Sequence, residues 1–168
     1  MLKRIARWRV PLGFAFGLLA LWLAEPTSQS ILVGAIVALI GEAIRVWASG
    51  HLEKSREVTA SGPYAWTRHP LYFGSTLIGI GLAIGAASVT VALLVLGYLA
   101  VTLTAAIRTE EAHLTEKFGA AYPEYRAGRH SVKRNFSLER ALRNREYRAA
   151  IGVLVVLAVL AGKVLYEG

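Results

Sequence analysis

The sequence predicts an all-α protein, a multi-pass membrane bundle of about five transmembrane helices. The chain has 168 residues, of which 55% are hydrophobic and only 18% are charged. About a quarter of the residues of an average soluble domain are charged, so this chain has too little polar surface for a water-exposed domain. The charges also cluster between long apolar segments. We therefore expect a single membrane domain over residues 1–168.

Five apolar segments account for the predicted helices. A helix needs about 20 apolar residues to cross the hydrocarbon core of a bilayer. The second, third and fourth segments reach that length, whereas the first and last also need flanking aromatic and lysine side chains at the interface. The alternative of four spans and one interfacial helix stays open. The segments are Val10–Ala24, Ile31–Ser49, Leu71–Ser88, Val89–Ile107 and Ala149–Gly162.

Positive charges lie on one side of these segments. Four Lys and Arg residues precede the first segment, three lie between the second and third, and ten lie between the fourth and fifth. The loops 25–30 and 86–90 have none. Cytoplasmic loops are rich in Lys and Arg, so we expect the N-terminus and both long polar loops in the cytoplasm and the C-terminus opposite. The first segment is expected to be retained, because Glu25-Pro26-Thr27 is not a small-residue cleavage site.

The composition excludes several kinds of chemistry. Cysteine is absent, which excludes disulfides, thiol catalysis and cysteine-ligated metals, and aspartate is absent as well. His113 follows Glu110 by three residues, but such a pair is weak evidence for a metal. The other histidines, His51, His69 and His130, are not spaced as a ligand set. No metal site is expected.

The first polar segment, Gly50–Pro70, ends where the third apolar segment begins. Pro70 suits the first turn of a helix, and the free N–H groups of that turn can hold a carboxylate or phosphate beside Arg68 and His69. Alternatively, Arg68 and His69 are ordinary anchors at the membrane surface. Gly74 follows one turn later and either permits close helix packing or leaves room for a ligand.

The second polar segment, Arg108–His130, follows the fourth apolar segment. Its paired carboxylates, Glu110 and Glu111, lie at the predicted mouth of the bundle, next to Arg108. They either form a solvated helix face or bind an ammonium group or the hydroxyls of a ribose. Within the second span, Glu42 and Arg45 share one helical face, and we expect them to pair or to face a wet cavity unless Arg45 extends to the interface.

A basic stretch, Lys133–Arg148, separates the second polar segment from the last span. It alternates arginines with apolar side chains, which predicts an interfacial helix on anionic membrane lipids. Nucleic-acid binding is the competing interpretation of such charge. The adjacent spans already place the stretch at a membrane, so no nucleic-acid partner is expected.

Two motifs make the sequence resemble a known family. Ser61–Gly74 resembles the GxYxxxRHPxYxG motif of integral-membrane methyltransferases. Glu110-Glu111 followed by Phe118–Tyr125 resembles their second motif, EE…FGxxYxxY. The family is that of isoprenylcysteine carboxyl methyltransferase and the phospholipid methyltransferases. The motif-bearing core covers residues 45–130, and residues 131–168 add the basic stretch and the last span.

The resemblance implies S-adenosylmethionine as cofactor, in a pocket that opens to the cytoplasm. Arg108 is the nearest candidate for the arginine that the family associates with its substrate. His51, Val58 and Thr59 are implied by the segment that contributes before the turn in eukaryotic members. The motif residues implied in cofactor binding are Tyr64, His69, Pro70, Leu71, Tyr72, Gly74, Glu110 and Glu111.

The resemblance implies methylation of a lipid-like or prenylated acceptor that arrives from the bilayer. A carboxylate of an isoprenylcysteine or isoprenoid is favoured, because an ionised carboxylate is already a nucleophile at neutral pH. Two alternatives stay open: N-methylation of a phosphatidylethanolamine-type phospholipid, which needs a base to remove a proton, and a non-enzymatic membrane scaffold.

Overall fold

A computed structural model describes residues 13–53, 59–118 and 134–167 of the protein. Within these ranges every regular element is helical and there is no β-strand, which confirms the all-α prediction. The elements are α1 (Gly13–Trp22), α2 (Ser28–His51), a 3-10 helix (Gly62–Ala65), α3 (Pro70–Ala86), α4 (Val89–Phe118), α5 (Leu138–Arg143) and α6 (Tyr147–Glu167).

Three helices, α2, α4 and α6, are long and apolar enough to cross a membrane, whereas α1 and α3 are apolar but shorter. Large apolar side chains cover their outer faces: Trp22 is 75% exposed, Leu93 69% and Leu165 86%. Apolar surface on this scale is unfavourable in water and is suited to lipid. The chain thus has the architecture of a multi-pass helical membrane protein, and the count of five spans stays a prediction.

Two helices extend beyond the apolar segments that predict them. Helix α2 begins at Ser28 because Thr27 and Ser30 form a capping box: the Ser30 N–H donates to Thr27 Oγ1 over 3.0 Å, and the Thr27 N–H donates to Ser30 Oγ over 2.9 Å. Helix α4 continues past Ile107 to Phe118. The polar residues that follow the fourth apolar segment therefore stand on the same rigid helix as the apolar ones.

Glycines bring α2 and α3 into close contact. A Cβ atom on Gly74 would lie 2.6 Å from the carbonyl oxygen of Gly41, and a Cβ atom on Gly41 would lie 2.6 Å from that of Gly74. Gly34 and Gly81 form a second contact of this kind along the same two helices. Small residues at a helix interface allow such an approach in a membrane bundle.

The two short predicted loops lie together at one end of the bundle. The Glu25 N–H donates to the Ala86 carbonyl over 2.8 Å, which joins the loop before α2 to the end of α3. Lys163 on α6 donates to the carbonyl oxygens of Trp22 and Ala24. This end therefore holds the segments that the charge distribution predicts to lie outside the cytoplasm.

At the other end, α5 packs against the end of α2. The Asn144 side chain donates to the carbonyl oxygens of Ser49 and Leu52, each over 2.9 Å. The sequence predicts a single helix over Lys133–Arg148, whereas in the structure α5 covers Leu138–Arg143 and α6 begins at Tyr147. Arg145, in the turn between them, has a left-handed φ of 61°, which a continuous helix does not allow. Placement of the basic stretch at the lipid interface stays a prediction.

Three arginines of the basic stretch converge on one carboxylate after α2. Glu53 Oε1 lies 3.3 Å from Arg134 Nη1, 2.9 Å from Arg140 Nε and 3.1 Å from Arg143 Nη2. Desolvation opposes ionisation of Glu53, but the Arg140 hydrogen bond and the three positive charges outweigh it and lower the pKa of this carboxyl. These ion pairs therefore hold the basic stretch against the segment that follows α2.

Candidate functional site

The first motif forms a tight turn against the end of α2. Gly62 opens the 3-10 helix with a φ of +60°, and a Cβ atom there would lie 2.6 Å from ring atoms of His51. Both the backbone conformation and the contact therefore require glycine. Pro63 and Tyr64 follow as buried residues of the same short helix. The structure thus explains why the motif begins with glycine.

The residues predicted from the segment before the turn hold this connection in place. His51 is buried at the end of α2, with Nδ1 3.2 Å from the Ser61 hydroxyl. Thr59 is buried, and its hydroxyl accepts a hydrogen bond from the Glu53 N–H over 3.3 Å. Val58 lies outside the described residues. Contact of these residues with a cofactor stays a prediction.

The start of α3 meets the polar part of α4 in a cluster of charged side chains. His69 Nε2 lies 3.2 Å from Glu111 Oε1, and His69 Nδ1 lies 3.9 Å from Glu110 Oε2. Arg68 Nη1 lies 3.5 Å from Glu111 Oε1. The two motifs, which are far apart in sequence, therefore share one site.

Helical geometry divides the first motif between two faces of α3. Residues three apart lie on the same face, and His69 and Tyr72 form the face towards α4, with their rings 5.7 Å apart. Leu71 and Gly74 belong to the other face: the Leu71 carbonyl accepts from Arg45, and Gly74 packs against α2. Pro70 is fully buried at the first position of the helix.

The predicted cofactor residues therefore fall into two groups, one at the charged cluster and one packed against α2. His69, Glu110 and Glu111 present polar groups to one another, with the Tyr72 ring beside His69, and these four residues form the chemical part of the site. Gly74 makes the close helix contact that was one of its two predicted roles. A direct contact of Gly74 with a ligand stays a prediction.

Arg108 stands on α4 two residues before the acidic pair. Its side chain is exposed, and within the described ranges it forms no ion pair. It is thus available to an anionic group that approaches this end of α4. The part of the second motif from residue 119 to residue 125 lies outside the described residues.

Two further arginines lie in or near the site, and the sequence does not identify either as a site residue. Arg68 was considered as an anion-binding residue or a surface anchor, and the structure places it against Glu111. For Arg45 the sequence leaves open a pair with Glu42, a wet cavity or extension to the interface; in the structure Arg45 Nε lies 3.9 Å from Glu42 Oε2 and only 2.6 Å from Glu146 Oε1. The Arg-His-Pro motif points to Arg68, whereas nothing local in the sequence identifies Glu146 as the partner of Arg45.

The fold and the site together define an all-α membrane protein with a charged site where α3 and α4 meet. The family model described as phospholipid methyltransferase matches residues 12–121, and the chain belongs to that family. This confirms the resemblance on which the motif assignment rests.

Two relatives are similar over most of this chain. The cobalt-zinc-cadmium resistance protein CzcN of Cupriavidus metallidurans is 31% identical over 134 residues, which cover 73% of this chain and 58% of that protein. The nickel-cobalt-cadmium resistance protein NccN of Alcaligenes xylosoxydans xylosoxydans is 29% identical over 127 residues, 68% of this chain and 57% of that protein. The chain thus spans little more than half the length of either relative. No solved structure matches it.

Proposed function

We propose that this protein is an integral-membrane methyltransferase that uses S-adenosylmethionine to methylate a lipid-like acceptor. The observation that carries the proposal is the contact of the two motifs, with His69 Nε2 3.2 Å from Glu111 Oε1 across 42 positions of the sequence. Membership of the phospholipid methyltransferase family supports the reaction class. The preferred acceptor is the carboxylate of an isoprenylcysteine or an isoprenoid.

The charges of the site are complementary to S-adenosylmethionine. That molecule carries an ammonium, a carboxylate, a sulfonium and two ribose hydroxyls, so a site for it needs groups of both signs. Glu110 and Glu111 supply two carboxylates, and Arg68 and His69 supply cationic or donor groups within 4 Å of them. In this proposal the acidic pair holds the ammonium or the ribose, and Arg68 and His69 hold the carboxylate.

The chemistry requires little from the protein beyond positioning and exclusion of water. When bound, S-adenosylmethionine supplies a methyl group that its sulfonium already activates for attack. The start of α3 and the polar part of α4 orient the reactants, which is where most of the rate enhancement of such a reaction arises. A carboxylate acceptor needs no base, and the exposed guanidinium of Arg108 is placed to orient it.

The position of the site fits a substrate that arrives from lipid. The charged cluster lies at the start of α3, and the apolar outer faces of the helices begin next to it: Phe73, one residue after Tyr72, is 54% exposed. An acyl or isoprenoid chain can lie along such a face while its polar end reaches the cluster. We place this end of the bundle in the cytoplasm and the C-terminus on the opposite side, as the Lys and Arg distribution predicts.

N-methylation of a phosphatidylethanolamine-type lipid is the second candidate. The contact that favours it is His69 between two carboxylates, because an ammonium acceptor needs a base within hydrogen-bonding reach of its proton. The description of the matching family also favours a phospholipid. A non-enzymatic scaffold is the third candidate, and it gives no reason for the two motifs to meet.

The acceptor is tested by methyl transfer from labelled S-adenosylmethionine. The purified protein in lipid nanodiscs is incubated with a prenylcysteine or a phosphatidylethanolamine, and the lipid product is then treated with base. The proposal predicts a base-labile methyl ester from the carboxylate acceptor. A base-stable N-methyl lipid would replace it with the second candidate, and a protein that binds neither S-adenosylmethionine nor S-adenosylhomocysteine would favour the scaffold.

A further inference from the structure

A buried ion pair joins the last part of the chain to α2. Arg45 Nε lies 2.6 Å from Glu146 Oε1, although 101 positions separate the two residues. Only 20% of the Arg45 side chain and 8% of the Glu146 side chain are exposed. Glu146 lies in the turn between α5 and α6, beyond the residues that the family model matches. This contact therefore lies partly outside the core of the family.

The same guanidinium also binds the first turn of α3. Arg45 Nη1 donates to the Leu71 carbonyl over 3.4 Å and to the Ser75 hydroxyl. A Cβ atom on Gly74 would lie 2.6 Å from Arg45 Cγ. Arg45 is thus held between Glu146 on one side and the start of α3 on the other.

The turn that Arg45 binds carries the polar residues of the candidate site on its opposite face. The N–H groups of Tyr72 and Phe73 both donate to the His69 carbonyl, so His69 is hydrogen-bonded to this turn. A displacement at Leu71 therefore changes the position of His69 and Tyr72 relative to Glu110 and Glu111. Because Arg45 touches none of these four polar groups in the described contacts, its influence on them is indirect.

Glu146 is itself fixed by the docking of α5 on α2. The Ser137 N–H donates to the Gly50 carbonyl over 3.1 Å, and the Asn144 side chain donates to Ser49 and Leu52. The Glu146 N–H donates to the Ala141 carbonyl over 3.2 Å. The carboxylate thus has a rigid support, as a residue that positions another requires.

A second carboxylate competes for Arg45. Glu42 Oε2 lies 3.9 Å from Arg45 Nε, and neither carboxylate oxygen of Glu42 accepts a hydrogen bond from the described residues. Residues three apart on a helix are neighbours, so Glu42 is within reach of a reoriented guanidinium. Loss of the Glu146 charge would therefore release Arg45 towards Glu42 and away from Leu71 and Ser75.

We propose that Glu146 is a positioning residue for the methyl-transfer site: through Arg45 it fixes the first turn of α3, and with it His69 and Tyr72. The expected effect on cofactor binding rests on the proposed function, whereas the contact between Glu146 and Arg45 is independent of it. It gives the turn between α5 and α6 a role in the geometry of the motif site.

The test uses Glu146→Gln with Glu139→Gln as the matched control. Both are the same substitution in the same part of the chain, and Glu139 is exposed on α5 with no ion pair among the described residues. Ser75→Ala is the second variant, because it removes one contact of Arg45 and leaves the ion pair intact. Should Glu146→Gln fail to fold, Ser75→Ala against Glu139→Gln decides the question.

Two measurements are made on the full chain in nanodiscs, well below the unfolding temperature. Hydrogen exchange of the peptide that contains residues 70–75 reports the first turn of α3 without any ligand. Calorimetry with S-adenosylhomocysteine reports the site. We expect Glu146→Gln to accelerate exchange in this peptide and to raise the dissociation constant about fivefold or more, and Glu139→Gln to change neither. We expect the same directions, with smaller changes, for Ser75→Ala.

Unchanged exchange at residues 70–75 in Glu146→Gln would overturn the proposal. Faster exchange with wild-type affinity would also overturn it, since the pair would then serve stability alone. If the wild-type protein binds no S-adenosylhomocysteine, the proposed function is wrong instead, and the exchange experiment still decides whether Glu146 holds the first turn of α3.

Discussion

His69 and Glu111 face each other across the start of α3 and the polar part of α4, with Nε2 3.2 Å from Oε1. The contact depends on the continuation of α4 past its apolar segment, because a helix that ended at Ile107 would leave the acidic pair on a loop. It depends equally on Pro70, which starts α3 directly after His69. The start of α3 and the length of α4 thus bring the residues of the candidate site together.

Arg108→Ala tests the role of the exposed arginine. We expect cofactor affinity to stay unchanged and turnover with a carboxylate acceptor to fall about tenfold to a hundredfold, because a charge-assisted hydrogen bond contributes roughly 1.5–3 kcal/mol. Steady-state kinetics with separate titration of cofactor and acceptor measures this. Arg148→Ala, which removes another exposed charge near the start of α6, is the control. Equal losses in the two variants would show that Arg108 has no specific role.

Gly74→Ala tests the close contact between α2 and α3. The added Cβ atom would lie 2.6 Å from the Gly41 carbonyl and from Arg45 Cγ, so the helices must separate. We expect a loss of about 1–3 kcal/mol in the free energy of unfolding, as is usual for overpacking. Denaturant titration in mixed micelles measures it.

Gly97→Ala is the matched control for this substitution. Gly97 lies within α4, and apart from the neighbouring backbone of that helix no atom of the described residues lies within 4 Å of the position that its Cβ would take. Alanine is the better helix former by about 1 kcal/mol, so this variant should be as stable as the wild type or more stable. If Gly74→Ala were equally well tolerated, the two helices would not be in contact at Gly74.

Glu53 predicts a pH dependence of stability. The pKa of its carboxyl is lowered from a usual value of 4.5, so its contribution is fully present above that pH and is lost as the pH falls through the lowered pKa. Between neutral pH and pH values below 4.5, the wild type should therefore lose more thermal stability than Glu53→Gln. Glu139→Gln should behave like the wild type. Parallel curves for Glu53→Gln and the wild type would show that the three arginines do not stabilise the folded state through this charge.

The orientation of the bundle is testable by cysteine labelling, because the natural chain has no cysteine. Ser28 and Thr115 are exposed, at the start of α2 and in the polar part of α4 respectively. In sealed right-side-out vesicles, an impermeant maleimide should label Ser28→Cys directly and Thr115→Cys only after lysis. The reverse pattern would invert the orientation and place the site on the outer side.

The helices were predictable from the sequence because the apolar segments are long and nearly free of charge, with only Glu42 and Arg45 inside the second. Pro70 and the capping residue Thr27 both lie at helix starts in the structure. The acidic pair and the Arg-His-Pro motif were identified as candidates from their residue types, and the family resemblance linked them. Local pattern alone left open whether they were solvated helix ends.

The partners of the basic stretch were not predictable. The sequence assigns its arginines to lipid because they alternate with apolar side chains beside a predicted span, whereas in the structure Arg134, Arg140 and Arg143 pair with Glu53. Glu146 likewise pairs with Arg45 across 101 positions. Such contacts arise from the packing of α5 against α2, and neither periodicity nor charge pattern specifies that packing.

The most direct test of the account is calorimetric titration of S-adenosylhomocysteine into the protein in nanodiscs. The account predicts saturable binding by the wild type. It also predicts a tenfold to hundredfold higher dissociation constant for Glu111→Gln or Glu110→Gln, since each removes a charge worth roughly 1.5–3 kcal/mol to a bound ligand. Glu116→Gln, on the same helix and exposed, should bind like the wild type. No binding by the wild type, or wild-type affinity in both Glu110→Gln and Glu111→Gln, would contradict the claim that the two motifs form a cofactor site.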